Sequence, residues 1–168
     1  VRIRLSWPVF SQAPVDHIEL SNFDKELVGF KSGFATDEWA YFVPYARSTL
    51  GRVMLSDFAT VQSRDLSTID SGLTGFIGGF VVGKFGYLVP HYEGGVGHYS
   101  GKVIRIDIQE PNMNLAQLDV VNIKEQNELY KGYYGGFYYM TISFRLHYLE
   151  NDPPVSIIQY VSLAEIEA

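Results

Sequence analysis

The chain has 168 residues and a formal net charge of −6, with 13 Lys and Arg against 19 Asp and Glu. Such an acidic protein repels phosphate backbones, which argues against general nucleic-acid binding. The sequence contains no cysteine, which excludes disulfides and thiolate metal sites, and it has no apolar run near the ~18 residues of a membrane span.

Composition favours strands joined by tight turns. Hydrophobic residues make up 46% of the chain and aromatic residues 15%, and 16 residues are glycine. Aromatic side chains pack well on strands, and glycine permits the backbone conformations of tight turns. This composition predicts an all-β fold.

The first strand resembles one that occurs later in the chain. Val1-Arg2-Ile3-Arg4-Leu5 is similar to Val103-Ile104-Arg105-Ile106, and both segments look like a strand near the end of a repeat. We therefore expect the chain to begin within a repeat whose earlier part lies upstream.

Two clear copies of a repeat follow. Leu27–Phe34 matches Leu73–Phe80 in the pattern Gly-Phe-x-x-Gly-Phe, at a spacing of 46 residues. Tyr41–Tyr45 matches Tyr87–His91 around Tyr-x-Val-Pro, at the same spacing of 46. Matching segments at one spacing are the signature of tandem structural units.

The next match contains an insertion. Gly51–Leu55 aligns with Gly101–Arg105 at a spacing of 50, which places four extra residues within Glu93–Ser100. Surface loops tolerate insertions of this kind.

Each copy is predicted to contain four strands. The first carries Gly-Phe-x-x-Gly-Phe, and the turns Asp37-Glu38 and Gly83-Lys84 separate it from the second. The later strands of the two copies are predicted at Trp39–Tyr45 and Phe85–His91, Arg52–Leu55 and Lys102–Ile108, and Gln62–Leu66 and Ala116–Val121.

A third copy is degenerate. Gly132–Phe137 echoes Gly75–Phe80 at a spacing of 57, but no Tyr-x-Val-Pro element follows. The segment Tyr133–Tyr148 is dense in aromatic residues, which indicates either buried strands of a last unit or an exposed partner interface. The tyrosines predicted for that interface are Tyr133, Tyr134, Tyr138 and Tyr139.

These observations predict one β-repeat domain over residues 1–168. Its divisions are the end of a preceding repeat at 1–17, repeat 1 at 18–60, repeat 2 at 61–110 and degenerate repeat 3 at 111–168.

A four-stranded unit of this length is typical of a β-propeller blade, which buries both of its faces against neighbouring blades. Gly78-Gly79 and Gly135-Gly136 resemble the double glycine of kelch repeats, whereas the Tyr and Trp that follow it in kelch at fixed spacing are absent. The resemblance implies consecutive four-stranded antiparallel blades of a β-propeller. The alternative is a β-sandwich or barrel formed by duplicated halves.

A closed propeller needs ~4–8 blades. Two good units, a degraded unit and a leading strand do not reach that number, so we expect a fragment of a longer propeller, an oligomer, or an open arc docked on a protein partner.

The ends of the second strands are the predicted binding sites. Tyr45 and Arg47 follow Pro44, and His91, Tyr92 and Glu93 follow Pro90. Equivalent loops of successive blades lie on one rim, where Tyr and His suit protein or sugar contacts. The alternative is that these aromatic residues pack on neighbouring blades.

No catalytic residue, metal or cofactor is predicted. His91 and His98 with Glu93 between them could hold a divalent metal, but the intervening Gly94-Gly95-Val96-Gly97 is flexible, and the glycine run lacks the ending of a Walker loop. The scattered histidines, including His17 and His147, show no nucleophile elbow.

The remaining candidates for chemistry are carboxylates, several of which recur in matching places, as expected for turn capping. They are Asp37, Glu38, Asp57, Asp65, Asp70, Glu93, Asp107 and Asp119.

The sequence therefore predicts a non-catalytic interaction or structural module. The alternatives are a carbohydrate-binding module and a glycan-acting enzyme that uses Glu93.

Overall fold

The computed structural model describes residues 1–3, 8–93, 98–114, 118–139, 143–148 and 158–162. The strands in chain order are β1 (Arg2–Ile3), β2 (Val15–Asp16), β3 (Phe30–Ala35), β4 (Trp39–Pro44), β5 (Thr49–Met54), β6 (Val61–Asp65), β7 (Phe76–Val82), β8 (Phe85–Pro90), β9 (Lys102–Asp107), β10 (Leu118–Asn122), β11 (Tyr133–Tyr139), β12 (Ser143–Tyr148) and β13 (Ile158–Ser162). Short 3-10 helices cover Phe10–Gln12, Leu20–Asn22, Leu66–Thr68 and Ile123–Glu125.

Within each sheet, strands that follow one another in the chain pair antiparallel, which confirms the predicted all-β fold. β3 to β6 form a first four-stranded sheet, β7 to β10 a second, and β11 to β13 a three-stranded third sheet. β1 and β2 form a separate pair. The barrel alternative is wrong for the described residues, because β3 and β6 remain the two edges of the first sheet.

The turns between the first and second strands lie where the sequence predicts them, at Asp37-Glu38 and Gly83-Lys84. Residues 61–65, which the sequence division places at the start of repeat 2, form the last strand of the first sheet.

The entry into each larger sheet has the same backbone geometry. Gly29, Gly75 and Gly132 precede β3, β7 and β11 with φ of 72°, 71° and 72°. This left-handed conformation favours glycine because it has no Cβ. The pairing register shifts by one residue at the start of each of these three strands. The extra residue interrupts the regular alternation of side chains between the two faces of the sheet.

The third strands of the first two sheets correct the sequence alignment. Arg52 pairs with Tyr41, and Arg105 pairs with Tyr87. The arginines are 53 residues apart, so the spacing of 50 inferred from Gly51 and Gly101 is wrong. Strand pairing sets the register, and Gly101 lies just before β9 rather than within it.

The second sheet is buried on both faces. One hydrophobic cluster joins it to the first sheet through residues that include Val43, Leu50 and Leu88. A second cluster joins it to the third sheet through Val89 and Tyr133. Since Leu88 and Val89 are neighbours in β8, alternate residues of one strand supply both cores.

The first strands of the larger sheets lie side by side, with β7 in contact with both β3 and β11. The approach of β3 to the second sheet depends on glycine. An added Cβ at Gly79 would lie 2.6 Å from Phe34 Cδ1, and one at Gly86 would lie 2.9 Å from Phe34 Cζ. The Phe34 ring therefore occupies the space that larger side chains at these two positions would need.

A buried arginine links the first and second sheets. Arg52 is 1% exposed, and its guanidinium donates to Gln62 Oε1 at 2.8 and 2.5 Å and to Tyr41 Oη at 3.0 Å. It also donates to the carbonyls of Glu110 and Pro111, at 3.1 and 2.6 Å, in the turn after β9. One side chain thus joins three strands of its own sheet to the next sheet.

Equivalent arginines occur in β1 and β9. Arg105 bonds Asp119 Oδ2 at 2.9 and 2.8 Å, and Arg2 bonds Asp16 Oδ2 at 3.1 and 2.8 Å. Arg2 also donates to the carbonyl of Leu55, after β5, at 2.8 Å. In its side-chain contacts, the β1–β2 pair therefore resembles the third and fourth strands of a larger sheet.

Candidate functional site

The candidate site lies on the rim where the first strands begin and the second strands end. The amides of His91 and Tyr92 donate to the carbonyl of Gly75 at 3.1 and 3.0 Å, and Ala46 makes the matching bond to Gly29 at 3.0 Å. A Cβ at Gly75 would collide with the backbone of Tyr92. The glycines therefore let the loops after β4 and β8 rest on the starts of β3 and β7.

Five aromatic side chains meet on this rim and are called the rim cluster below: Tyr45, His91, Tyr92, Tyr99 and Tyr134. His91 is central, with ring centroids 4.0 Å from Tyr92 and 4.5 Å from Tyr134. Tyr92 stacks on Tyr99 at 5.2 Å, and their backbones form an isolated bridge. The cluster thus draws residues from all three larger sheets and their connecting loops.

His91 is buried, which favours the neutral form of its imidazole. It is 2% exposed, and burial lowers its pKa because the imidazolium loses its hydration, although backbone groups of Gly132 and Tyr133 oppose this effect. Its Nδ1 has no hydrogen-bond partner among the described residues. A neutral imidazole therefore presents one unpaired nitrogen within an aromatic surround.

The rings around His91 are partly open to solvent. Tyr134 is 44% exposed, and Tyr45, Tyr92 and Tyr99 are half-buried. The Lys31 ammonium lies 4.6 Å from the Tyr45 ring centroid, a favourable contact between a cation and an aromatic face. The rim cluster therefore offers tyrosine rings and hydroxyls at the surface over a buried base.

A charged network lies beside the rim cluster. Lys102 Nζ is 2.7 Å from Glu93 Oε1 and 2.9 Å from Asp70 Oδ2. Burial of Lys102 opposes its charge, but the two carboxylates outweigh burial and raise its pKa. The hydrogen bond from Lys102, aided by the Gly72 amide, lowers the pKa of Asp70. The network fixes the loop after β8 to the start of β9 and to the turn before β7.

The structure brings three of the five predicted rim residues together. Tyr45, His91 and Tyr92 join the cluster. Glu93 points into the charged network, and Arg47 pairs instead with exposed Glu26 at 3.5 Å.

The tyrosines that were predicted to form an interface lie in different environments. Tyr133 is buried in the core between the second and third sheets, whereas Tyr134 points into the rim cluster. Tyr134 is the extra residue at the register shift between Tyr133 and Gly135, which directs its side chain away from the core that contains Tyr133. Tyr138 and Tyr139 belong to β11, but their side chains fall outside the described part of the structure.

Tyr99 and Lys102 were missed by the sequence analysis. Tyr99 follows the insertion, and its pairing with Tyr92 depends on how that loop closes. In the sequence, Tyr92 and Tyr99 lie at equal distances on either side of Gly94–Gly97. This symmetry was the signal from which their pairing could have been predicted. Lys102 was aligned with Arg52, but the corrected register places it at the start of β9, opposite Asn122, where it is the central cation of the charged network.

The suggested metal ligands do not form a site in the described structure. Within residues 8–93 and 98–114 no group of three or more His, Asp or Glu side chains could hold an ion. Glu93 bonds Lys102 rather than lying between His91 and His98. The glycine run at 94–97 is outside the described residues.

Most of the candidate carboxylates cap turns or form ion pairs. Asp57 accepts from the hydroxyl and amide of Thr60 and the amide of Ala59, which lowers its pKa to about 2. Asp107 accepts from Lys84 and from the Gln109 amide. These bonds confirm the turn-capping interpretation for both residues.

The proposed equivalence of these carboxylates is wrong. Asp107 ends β9, whereas Asp57 lies beyond the end of β5. Asp65 caps the 3-10 helix at Leu66–Thr68. The equivalent position before the 3-10 helix at Ile123–Glu125 is occupied by Asn122. Asp119 lies earlier in its strand and pairs with Arg105. The third strands are 53 rather than 50 residues apart, and this three-residue difference accounts for the mismatch.

A second recess lies at the opposite rim, between the first and second sheets. It encloses about 930 Å³ and is bordered by Trp39, Arg52 and Lys84, with Asp37 and Glu38 on its wall. The Arg52 guanidinium already bonds neighbouring strands and lies 4.1 Å from the Trp39 ring centroid. This recess is therefore the outer end of a sheet–sheet contact.

No family model, curated protein or solved structure matches this chain. In the part of the chain that the structure describes, no helix is long and apolar enough to cross a bilayer. The argument for function therefore depends on the rim cluster and on the contacts between sheets.

Proposed function

We propose that the chain forms consecutive blades of a β-propeller and acts as a non-catalytic module that binds a protein partner within a larger assembly. The observation that carries the proposal is the recurrence of one contact set. Each larger sheet begins at a left-handed glycine, and the first strands are neighbours. An arginine of one sheet also bonds the turn after the third strand of the next.

Packing energetics support the blade arrangement. A four-stranded sheet with apolar side chains on both faces needs a neighbour on each side. The second sheet has two such neighbours, and Leu88 and Val89 are 0% and 1% exposed. An experimental structure in which β3, β7 and β11 are not adjacent would overturn the arrangement.

The rim cluster is the proposed binding face. Tyrosine rings contribute a large contact area with little loss of conformational freedom, and their hydroxyls accept or donate hydrogen bonds. Loops that several sheets bring together on one rim suit a partner wider than a small ligand.

The test compares two variants in affinity purification followed by quantitative mass spectrometry. Tyr92→Ser with Tyr134→Ser removes rim-cluster rings, and Phe23→Ser removes a 55% exposed ring elsewhere. We expect proteins recovered with the wild type to be lost, by about tenfold or more, only from the double variant. A ΔΔG of about 1.4 kcal/mol gives such a factor. Recovery of the same proteins with both variants would refute the rim as the binding face.

Carbohydrate binding is the second candidate. Tyrosine rings stack on sugar faces, and the Glu93 and Asp70 carboxylates lie beside the rim cluster to accept hydroxyl hydrogen bonds. A glycan array probed with the same variants separates the two functions. Glycan binding that requires Tyr92 and Tyr134 would favour the carbohydrate-binding module. If the protein also hydrolyses a glycan, hydrolysis that survives Glu93→Gln would exclude Glu93 as the catalytic acid.

A further inference from the structure

The outer face of the first sheet is covered over one half and open over the other. Val53 in β5 is fully buried, and Leu27 covers Gly51, where an added Cβ would lie 2.8 Å from Leu27 Cδ2. The halves of β3 and β4 toward their shared turn instead line a groove of about 540 Å³. This groove, lined by residues 32–35 and 40–42 and bordered by Val1, Arg2, Leu55 and Phe58, is called the open groove below.

The second sheet shows what fits such a groove. The positions equivalent to Gly33 and Ala40 are Gly79 and Gly86, at a spacing of 46, and both are filled by the Phe34 ring of the preceding sheet. Phe34 in turn stacks on Tyr41, with centroids 4.7 Å apart. The open groove therefore has the small residues that receive an aromatic ring. An added Cβ at Gly33 would meet only the Tyr41 backbone within 4 Å, so no ring from the described residues covers Gly33 as Phe34 covers Gly79.

The arginine contacts identify a second missing group. Between the first and second sheets, Arg52 Nη1 donates to Tyr41 Oη, and Tyr41 Oη lies 3.3 Å from the Ile108 carbonyl. At the open groove Arg2 Nη1 donates directly to the carbonyl of Leu55, the position equivalent to Ile108. Among the residues that the structure describes, no tyrosine hydroxyl mediates the Arg2–Leu55 contact as Tyr41 mediates the contact of Arg52 with Ile108.

We propose that the open groove is the docking site for a β-hairpin of the same kind as β3–β4, which carries a phenylalanine and a tyrosine on one face. The hairpin would pair with the free edge of β1, because the β1–β2 pair already supplies the third and fourth strands of such a sheet. Its phenylalanine would cover Gly33 and Ala40, and its tyrosine would lie between Arg2 and Leu55.

This inference rests on the proposed blade arrangement, and its test can fail separately. A copy of residues 29–50, which includes the hairpin and its natural connection to a third strand, is placed ahead of Val1, so that Arg2 follows the added copy at the spacing that Arg52 has in the chain. The matched control carries Phe34→Ser and Tyr41→Ser in the added copy only. We expect the melting temperature of the fusion to exceed that of its control by about 5 °C or more.

Thiol labelling reports occupancy directly. The chain has no cysteine, so Ala35→Cys supplies a single reactive group in the open groove, at a position where the second sheet carries the larger Val81. We expect alkylation of this thiol to be at least about tenfold slower in the fusion than in the control, because the docked hairpin covers it. Equal rates and equal melting temperatures would overturn the hairpin proposal while leaving the contacts between the larger sheets untouched.

Sedimentation of the chain without the added copy tests the other occupant. We expect a monomer, because the proposal leaves the open groove of the chain uncovered until a hairpin docks there. A dimer that Ala40→Trp dissociates would overturn the proposal, since a second copy would then cover the groove.

Discussion

Replacement of Arg52 by leucine tests how the first two sheets are held together. The guanidinium is buried, yet the partners described for it are neutral oxygens: a glutamine amide, a tyrosine hydroxyl and two backbone carbonyls. Leucine keeps part of the aliphatic volume and removes every donor. The carbonyls of Glu110 and Pro111 then lose their hydrogen bonds to Arg52.

The cost follows from those lost bonds. A hydrogen bond that involves a charged group contributes about 1.5–3 kcal/mol, and the Arg52–Trp39 cation–π contact contributes about 0.5–2 kcal/mol. Against this, leucine avoids the cost of burying a charge. We expect a net loss of about 3–5 kcal/mol, which is a large part of the ~5–15 kcal/mol that stabilises a typical domain.

Urea denaturation monitored by circular dichroism measures the loss, and a thermal midpoint lower by about 6–20 °C should accompany it. Arg47→Leu is the control, because the Arg47–Glu26 pair is more than half exposed on both sides and should contribute no more than about 0.5 kcal/mol. An Arg52→Leu variant within about 1 kcal/mol of the wild type would show that the desolvation cost cancels the bonds, and the reasoning would be refuted.

Three further substitutions test other parts of the structure. Gly79→Ala should destabilise by about 1–3 kcal/mol through overpacking, whereas Gly78→Ala should cost less, since its nearest neighbour would lie at 3.8 Å; equal losses in urea would contradict this. Gln62→Glu should add about 0.5–1.5 kcal/mol at neutral pH by giving the buried guanidinium a carboxylate. The arginine depresses the folded-state pKa of that new carboxyl, so the gain should disappear as pH falls below about 4.3; a gain that persists at pH 2 would argue against an ion pair. Asp57, whose pKa is lowered to about 2 chiefly by the Thr60 hydroxyl, stabilises the fold above its unfolded pKa of about 3.9. Acid titration should therefore destabilise the wild type more than Asp57→Asn as pH falls from 4 toward 2, and parallel curves would refute this.

The sequence by itself determined the fold class and the places of the strands. Gly-Phe-x-x-Gly-Phe and Tyr-x-Val-Pro recur at a spacing of 46, and β3, β4, β7 and β8 begin and end within one or two residues of the predictions. These elements were predictable because alternation, turn residues and repeat spacing are local properties. Tyr45 and His91 were predicted at the rim for the same reason, because each directly follows the proline of a Tyr-x-Val-Pro element.

Only the tertiary structure decided the register of β9 and the membership of the rim cluster. Gly51 and Gly101 align in sequence, but Arg105 rather than Lys102 takes the place of Arg52, because pairing with Tyr87 fixes the strand. Tyr99 and Tyr134 reach His91 only when the loop after β8 and the third sheet are in place. Strand register and the contacts between side chains of different sheets depend on residues far apart in the chain. They therefore cannot be predicted from the residue pattern along a single strand.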